Sequence, residues 1–188
     1  MYDFVIIHGS FGNQYENWFP WLFKKLSSRQ KSVLIPQFPS PEGQSYGQWS
    51  KVLSAYDDMI GQSTVIIGHS LAPAFIVDYL VSNNKTIRGL IGVAPFYGLI
   101  NIEEFDTINS DFFWDGIDIS KVQKFAKFRH FIYSDNDPYV PRILSDDFSK
   151  LCGACTTIIP DGGHINESAG FSDFPQLLEI IDSYEEHS

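Results

Sequence analysis

The sequence predicts an α/β protein: one domain over residues 1–188, with about six mostly parallel strands and helices on both faces of the sheet. Two observations favour this class. Short apolar runs alternate along the chain with segments whose apolar residues recur at helical spacing. These runs are continuously apolar, which is typical of strands buried on both faces. Neither a linker nor an internal repeat divides the 188 residues, a length sufficient to bury a substantial core.

Each predicted element follows from its own residues. Six apolar runs supply the strands, and they cover residues 2–7, 32–36, 64–68, 88–94, 128–133 and 156–159. Helices are expected over residues 16–28, 49–60, 71–81, 142–151 and 174–184. Pro20 and Pro73 fall in the first turns of their helices, where a missing N–H costs nothing. The Pro-rich segment 37–43 is a loop, because it cannot form a central strand.

Residues 98–120 interrupt this alternation. Phe105, Phe112, Phe113 and Trp114 are mixed there with Asp and Asn. Two interpretations stay open. The segment is either a short lid or apolar pocket wall, or it is a surface excursion whose aromatic side chains complete the core.

The charge of the chain limits its partners. The formal net charge is −10, and no cluster of Lys and Arg could follow a phosphate backbone, so we expect no nucleic acid partner. The first residues lack the basic start of a signal peptide and fit a strand instead. No window is long enough to span a bilayer, so we expect no membrane association and a cytoplasmic location.

The segment 64–72 carries the strongest functional signal. An apolar run stops at Gly68, and a helical pattern begins just after Ser70. Gly-x-Ser-x-small between a strand and a helix is the pattern of a nucleophile elbow, a tight turn that exposes the serine hydroxyl and leaves room only for small neighbours. Ala72 stands where a second glycine is commoner. The pattern alone also fits an ordinary loop between a strand and a helix.

Three further loops are expected to meet Ser70. In a parallel sheet the carboxyl ends of the strands share one edge, so the loops after the first, third, fifth and sixth strands converge. They carry Ser10, Ser70, Asp137 and His164, respectively. Ser, then Asp, then His is one of the known chain orders of a hydrolytic triad.

The residue types at this edge suit nucleophilic catalysis. A serine hydroxyl is a poor nucleophile at neutral pH and needs a base, here His164, to take its proton. Asp137 would hold the imidazole in the required tautomer and stabilise the imidazolium. Asp135 is the alternative acid, and we prefer Asp137 because Pro138 fixes the chain directly after it.

Cys152 and Cys155 form a Cys-x-x-Cys pair, which we expect to be structural. A thioredoxin-type motif starts at a helix N-terminus, whereas this pair lies between a helix and a strand. No second Cys or His pair stands at a spacing that would complete a zinc site.

With these motifs in place, the sequence resembles the α/β-hydrolases, and among them the small serine hydrolases related to retinoblastoma-binding protein 9 and their bacterial YdeN-like relatives. The resemblance covers most of the chain. The segments that carry it are 8–9, the Pro-rich loop with the following Trp49, 68–72, 135–141 and 162–164. It implies a compact hydrolase without a large cap domain, in which Ser70, Asp137 and His164 are the catalytic triad.

The same resemblance implies an oxyanion hole made of backbone N–H groups. Leu71 supplies one of them, and the other follows the first strand, at Ser10 or alternatively at Phe11. We assign the candidate substrate pocket to the side chains of Phe11, His69, Phe96, Phe113 and Trp114.

These inferences predict a serine hydrolase, an esterase that cleaves small or medium carboxylic esters or thioesters through an acyl-enzyme intermediate. No metal, flavin or nucleotide motif is present, so we expect no cofactor. Two other functions stay open. One is acyl transfer, in which an alcohol or amine replaces water. The other is a protein-binding module on a hydrolase fold with little catalysis of its own, whose partner the sequence does not identify.

Overall fold

A computed structural model describes residues 1–113 and 116–186. Its strands are β1 (Phe4–Ile7), β2 (Val33–Leu34), β3 (Val65–His69), β4 (Ile87–Val93), β5 (Ala126–Ser134) and β6 (Cys155–Ile159). They form one sheet in the order β2-β1-β3-β4-β5-β6, and all neighbouring pairs are parallel. The predicted six-stranded parallel sheet is therefore confirmed.

Helices cover both faces of this sheet. They are α1 (Phe19–Ser28), α2 (Tyr46–Ser54), α3 (Ala72–Ser82), α4 (Glu103–Ile108), α5 (Arg142–Cys152) and α6 (Pro175–Glu185). Short 3-10 helices cover Asp57–Met59, Ser110–Phe112, Ile119–Lys124 and Glu167–Ala169. Within the described ranges, no helix combines the length and the apolar character that crossing a bilayer would require.

The sheet separates two apolar layers, because successive residues of a strand point to opposite faces. Val5 and Ile7 belong to one layer, together with residues of α2, α3 and α5. Phe4 and Ile6 belong to the other, together with residues of α1 and α6. Burial on both faces explains why β1 is apolar at every position.

Two helices begin three residues away from their predicted starts. α2 begins at Tyr46, three residues early, because the Ser45 side chain caps it by accepting a hydrogen bond from Gln48 N at 3.2 Å. It also ends early, and a 3-10 turn covers part of the predicted remainder. α1 begins at Phe19 rather than at residue 16, because Asn17 has a φ of +53°, outside the helical region.

The predicted strand 32–36 is only two residues long in the structure. Val33 and Leu34 pair with β1, and β2 is an edge strand of the sheet. Pro36 has no N–H to donate, so the ladder cannot continue through it.

The two interpretations of residues 98–120 apply to different side chains. Phe112 is fully buried and completes the core. Phe105, on α4, is only half-buried and borders the cleft that contains Ser70. Trp114 lies outside the described residues.

Both cysteines are free. Cys152 ends α5 and is buried, and burial raises the pKa of its thiol to about 12. Cys155 begins β6 and is exposed. Gly153 between them has a left-handed conformation that ends the helix, so the pair spans a sharp turn.

Phe75→Ala tests the aromatic packing of one core layer. Phe75 is fully buried, and its ring centroid lies 5.3 to 6.2 Å from those of Phe38, Tyr46, Trp49, Tyr79 and Phe112. Because Phe75→Ala leaves a cavity among these rings, we expect the free energy of unfolding to fall by about 3–5 kcal/mol. Urea unfolding measures the change.

Phe23→Ala on α1 is the matched control, since the same truncation occurs at a side chain that is 42% exposed. It should change the free energy of unfolding by less than about 1 kcal/mol. Equal losses in the two variants would contradict the packing argument.

Candidate active site

Three of the predicted side chains form one hydrogen-bonded row at the carboxyl edge of the sheet. Ser70 follows β3, Asp137 follows β5 and His164 follows β6. His164 Nε2 lies 3.1 Å from Ser70 Oγ, and His164 Nδ1 lies 2.8 Å from Asp137 Oδ2. Because a carboxylate only accepts, Nδ1 carries the hydrogen and Nε2 is left to accept from the serine hydroxyl.

Ser70 occupies a strained turn. Its φ is +61°, in the left-handed region that residues other than glycine seldom adopt. α3 begins two residues later, at Ala72. A Cβ on Gly68 would lie 2.9 Å from Pro73 N, and a Cβ on Gly9 would lie 2.8 Å from Ser70 Cβ. The turn therefore has no room for a side chain at either glycine.

Asp137 is held from one side by the backbone. Its Oδ1 accepts hydrogen bonds from Tyr139 N at 2.9 Å and Val140 N at 3.0 Å. The side chain is only 4% exposed. These bonds leave Oδ2 to face His164, so the orientation of the carboxylate is fixed before any substrate binds.

The residues just before Asp137 brace the loop that carries the histidine. Asp135 Oδ1 accepts from Asp161 N at 2.9 Å, and Asn136 Oδ1 accepts from Gly163 N at 2.8 Å. Asp135, the alternative acid, is thus bound to the start of the loop rather than to the imidazole.

His69 supports the backbone of His164. Its Nε2 lies 3.0 Å from the His164 carbonyl oxygen, which can only accept, so Nε2 donates. Burial, and then the neighbouring His164, lower the pKa of His69 to about 3. His69 is therefore a neutral ring that holds the histidine loop against the elbow.

The loop after β1 is tied to two distant segments. Ser10 Oγ donates to Asn109 Oδ1 at 2.6 Å, and Gln44 Nε2 donates to Ser10 Oγ at 3.0 Å and to Asn109 Oδ1 at 2.7 Å. His8 adds a link, because its Nε2 accepts from Phe38 N at 3.0 Å. Burial lowers the pKa of His8, which keeps the ring neutral and able to accept.

Two backbone N–H groups beside Ser70 are unoccupied. In the described part of the chain, neither the Ser10 N–H nor the Leu71 N–H donates a hydrogen bond. The Phe11 N–H, which is the alternative to Ser10, is already bound to Ser40 Oγ. Of the three candidate N–H groups for the oxyanion hole, those of Ser10 and Leu71 are therefore the two with no existing bond to break.

Ser70 and His164 border a cleft of about 200 Å³. Part of its lining is polar and consists of Glu16, Asn17 and Asn166, and another part is aromatic and consists of Phe105 and Tyr139. Glu16, Asn17, Tyr139 and Asn166 are not among the predicted pocket residues, and for Phe105 the sequence leaves a pocket wall and a core position open. Apart from Tyr139, which lies in the segment 135–141, these residues belong to no recognisable motif, and only the packing of distant segments brings them together.

The predicted pocket side chains lie in different places. His69 borders the cleft. The Phe11 ring lies 5.2 Å from the ring of Phe105, and Phe105 borders the cleft. Phe96 is buried, and its ring packs 5.7 Å from that of Phe113. Among the residues that the structure describes, the cleft lining includes neither Phe96 nor Phe113.

Ser70 lies in a tight turn between a central strand and a buried helix of a parallel sheet, and it faces a histidine that follows the last strand. This arrangement defines the class of α/β-hydrolases. Solved structures have the same fold. The YdeN gene product of Bacillus subtilis matches with a TM-score of 0.89 and 27% identity, covering 99% of this chain and 100% of that chain. Alpha/beta hydrolase domain-containing protein 10 from mouse matches with a TM-score of 0.67 and 16% identity, covering 98% and 90% of the two chains.

The particular family follows from the sequence. The family model described as serine hydrolase matches residues 4–183. YdeN of Bacillus subtilis strain 168 is 30% identical over 182 residues, which cover 95% of this chain and 94% of the relative. The chain belongs to the serine hydrolase family and is a hydrolase, so the resemblance inferred from the motifs is confirmed.

Gly9→Ala tests how closely the loop after β1 packs on the elbow. The added Cβ would lie 2.8 Å from Ser70 Cβ and 3.1 Å from His69 O, so the two segments must move apart. We expect the free energy of unfolding to fall by about 1–3 kcal/mol. Urea unfolding of the two proteins measures this difference.

Gly47→Ala, in α2, is the matched control. Nothing lies within 4 Å of its added Cβ, and alanine favours a helix, so this variant should be unchanged or more stable by up to about 1 kcal/mol. A Gly9→Ala protein as stable as the wild type would refute the close packing of this loop.

Proposed function

We propose that the protein hydrolyses small or medium carboxylic esters or thioesters through an acyl-enzyme intermediate on Ser70. The observation that carries this proposal is the continuous row from Asp137 through His164 to Ser70, with contacts of 2.8 and 3.1 Å. Ser70 and His164 both border a cleft of about 200 Å³ that is open to solvent, so an ester can approach the serine.

The first half of the reaction uses all three side chains. Ser70 Oγ attacks the carbonyl carbon of the ester while His164 Nε2 takes the hydroxyl proton. Asp137 Oδ2 accepts from Nδ1 and stabilises the imidazolium that forms. The carboxylate does not have to reorient, because Tyr139 N and Val140 N already hold its other oxygen.

The negative charge on the carbonyl oxygen would be stabilised by the backbone N–H groups of Ser10 and Leu71. Each such donor contributes about 3 kcal/mol to the stability of the transition state. The bond from Phe11 N to Ser40 Oγ favours Ser10 over Phe11 in this role. The contacts of Ser10 with Gln44 and Asn109 would keep this part of the oxyanion hole in place.

The remaining steps release first the alcohol or thiol and then the acyl group. The imidazolium of His164 gives its proton to the departing alcohol or thiol, and the acyl group stays on Ser70 Oγ. His164 Nε2 then takes a proton from a water molecule that attacks the acyl carbon, and Ser70 recovers its hydroxyl as the acid leaves.

Ser70→Ala tests the nucleophile. Intact-mass spectrometry with a fluorophosphonate probe should show the wild type gaining the mass of one bound probe, whereas Ser70→Ala gains none because its reactive oxygen is gone. Ser54→Ala, which removes an exposed hydroxyl from the end of α2, should be labelled like the wild type. Labelling of folded Ser70→Ala would assign the reactive group to another residue.

Asp137→Asn tests the acid. The amide oxygen would keep the bonds from Tyr139 N and Val140 N, so the amide NH₂ would face His164 Nδ1 and force the hydrogen onto Nε2. That tautomer cannot take the serine proton, and we expect kcat for a chromogenic ester to fall by about 10³- to 10⁴-fold.

Asp135→Asn is the matched control for this substitution. An amide oxygen can still accept from Asp161 N, so this variant should retain far more activity than Asp137→Asn. A larger loss of activity in Asp135→Asn than in Asp137→Asn would assign the role of the acid to Asp135.

A further inference from the structure

A carboxylate, that of Glu16, lies close to Ser70 in the polar part of the cleft lining. A Cβ on Gly12 would lie 2.5 Å from Glu16 Oε1 and 3.0 Å from Gly9 O, and Gly9 itself packs against Ser70. Glu16 and Ser70 thus both pack against the loop that follows β1. Both residues border the same cleft of about 200 Å³.

Within the described residues, the carboxylate of Glu16 has no positively charged partner. Across residues 1–113 and 116–186, no Lys, Arg or His forms an ion pair with it. Its hydrogen bonds come from neutral amides, Asn13 Nδ2 at 3.0 Å and Asn17 Nδ2 at 3.5 Å. Burial, together with the negative charge of Glu167, raises the pKa of Glu16. A cation bound in the cleft would compensate this unfavourable charge.

The aromatic part of the lining suits the same kind of ligand. The rings of Phe105 and Tyr139 lie 5.8 Å apart, and the Tyr139 ring lies 5.1 Å from that of His164. The faces of aromatic rings attract cations. The net charge of −10 also raises the concentration of cations around the protein.

We propose that this cleft selects esters or thioesters that carry an ammonium group, with Glu16 as the residue that recognises the positive charge. The proposal rests on the proposed hydrolysis, since it names the substrate class of the same site. The ammonium group would lie between the Glu16 carboxylate and the rings of Phe105 and Tyr139 while the acyl carbon faces Ser70. An anionic ester would meet Glu16 and Glu167 as like charges and be disfavoured.

Two pairs of substrates test the charge alone. In the first pair the charge is on the leaving group: butyrylthiocholine and its neutral analogue, in which a tert-butyl group replaces the trimethylammonium group. In the second pair the charge is on the acyl group: the p-nitrophenyl ester of trimethylammonio-butanoic acid and its tert-butyl analogue. The members of each pair have nearly the same shape, so the ratio of their kcat/KM values reports recognition of charge.

We expect this ratio to favour the cationic member by about tenfold in at least one pair. Glu16→Gln should bring the ratio close to one, because the amide keeps the shape of the side chain and removes its charge. Glu179→Gln is the matched control, since it removes the same charge from an exposed position on α6, and it should keep the ratio of the wild type.

The outcomes separate the two proposals. Hydrolysis of both pairs without preference, or a preference that Glu16→Gln leaves intact, overturns charge recognition by Glu16 and supports ester hydrolysis. A wild type that hydrolyses none of the four substrates and takes no fluorophosphonate overturns ester hydrolysis. In that case calorimetry with the Ser70→Ala variant tests whether Glu16 recognises the positive charge. Tighter binding of the cationic member than of the neutral member, lost in the Ser70→Ala/Glu16→Gln double variant, supports this recognition. Equal binding of the two members overturns it.

Discussion

The left-handed backbone at Ser70 is the constraint on which the rest of the structure depends. Such a conformation costs about 1–3 kcal/mol and persists only where its surroundings hold it. Here Ser70 N donates to Val93 O on β4 at 2.8 Å, and the following helix α3 is buried at every residue from 72 to 80. Core packing fixes the strand and the helix, so the residue that joins them must adopt the conformation that the short connection demands.

The close approach of α3 to the sheet also determines which residues the strands can carry. Gly68 on β3 pairs with Gly92 on β4 and with Ile7 on β1. A Cβ on Gly92 would lie 3.2 Å from Pro73 Cγ and 2.8 Å from Phe131 Cδ1. Two neighbouring glycines thus make a flat patch beneath the first turn of α3. The glycine of the elbow motif is one member of a larger steric arrangement that extends across the sheet.

The sequence could predict the features that depend on neighbouring residues or on topology. The elbow is a local pattern, and the meeting of Ser70, Asp137 and His164 follows from parallel strands whose carboxyl ends share an edge. Contacts between distant segments could not be predicted. The bond between Ser10 and Asn109 joins residues 99 positions apart, and no local pattern indicates it. For the same reason, the aromatic residues of 98–120 could not be sorted in advance into core and cleft.

In the proposed reaction His164 takes up a proton while His69 stays neutral. The surroundings of the two rings account for this difference. The rings of His69 and His164 lie 4.9 Å apart, so a positive charge on one opposes a charge on the other. His69 packs against Trp18 and Phe19, no carboxylate of the described residues forms an ion pair with it, and burial keeps it neutral. His164 has Asp137 as its counterion. In the proposed reaction, the serine proton would therefore go to His164, and the neutral His69 would leave the positive charge on its neighbour unopposed.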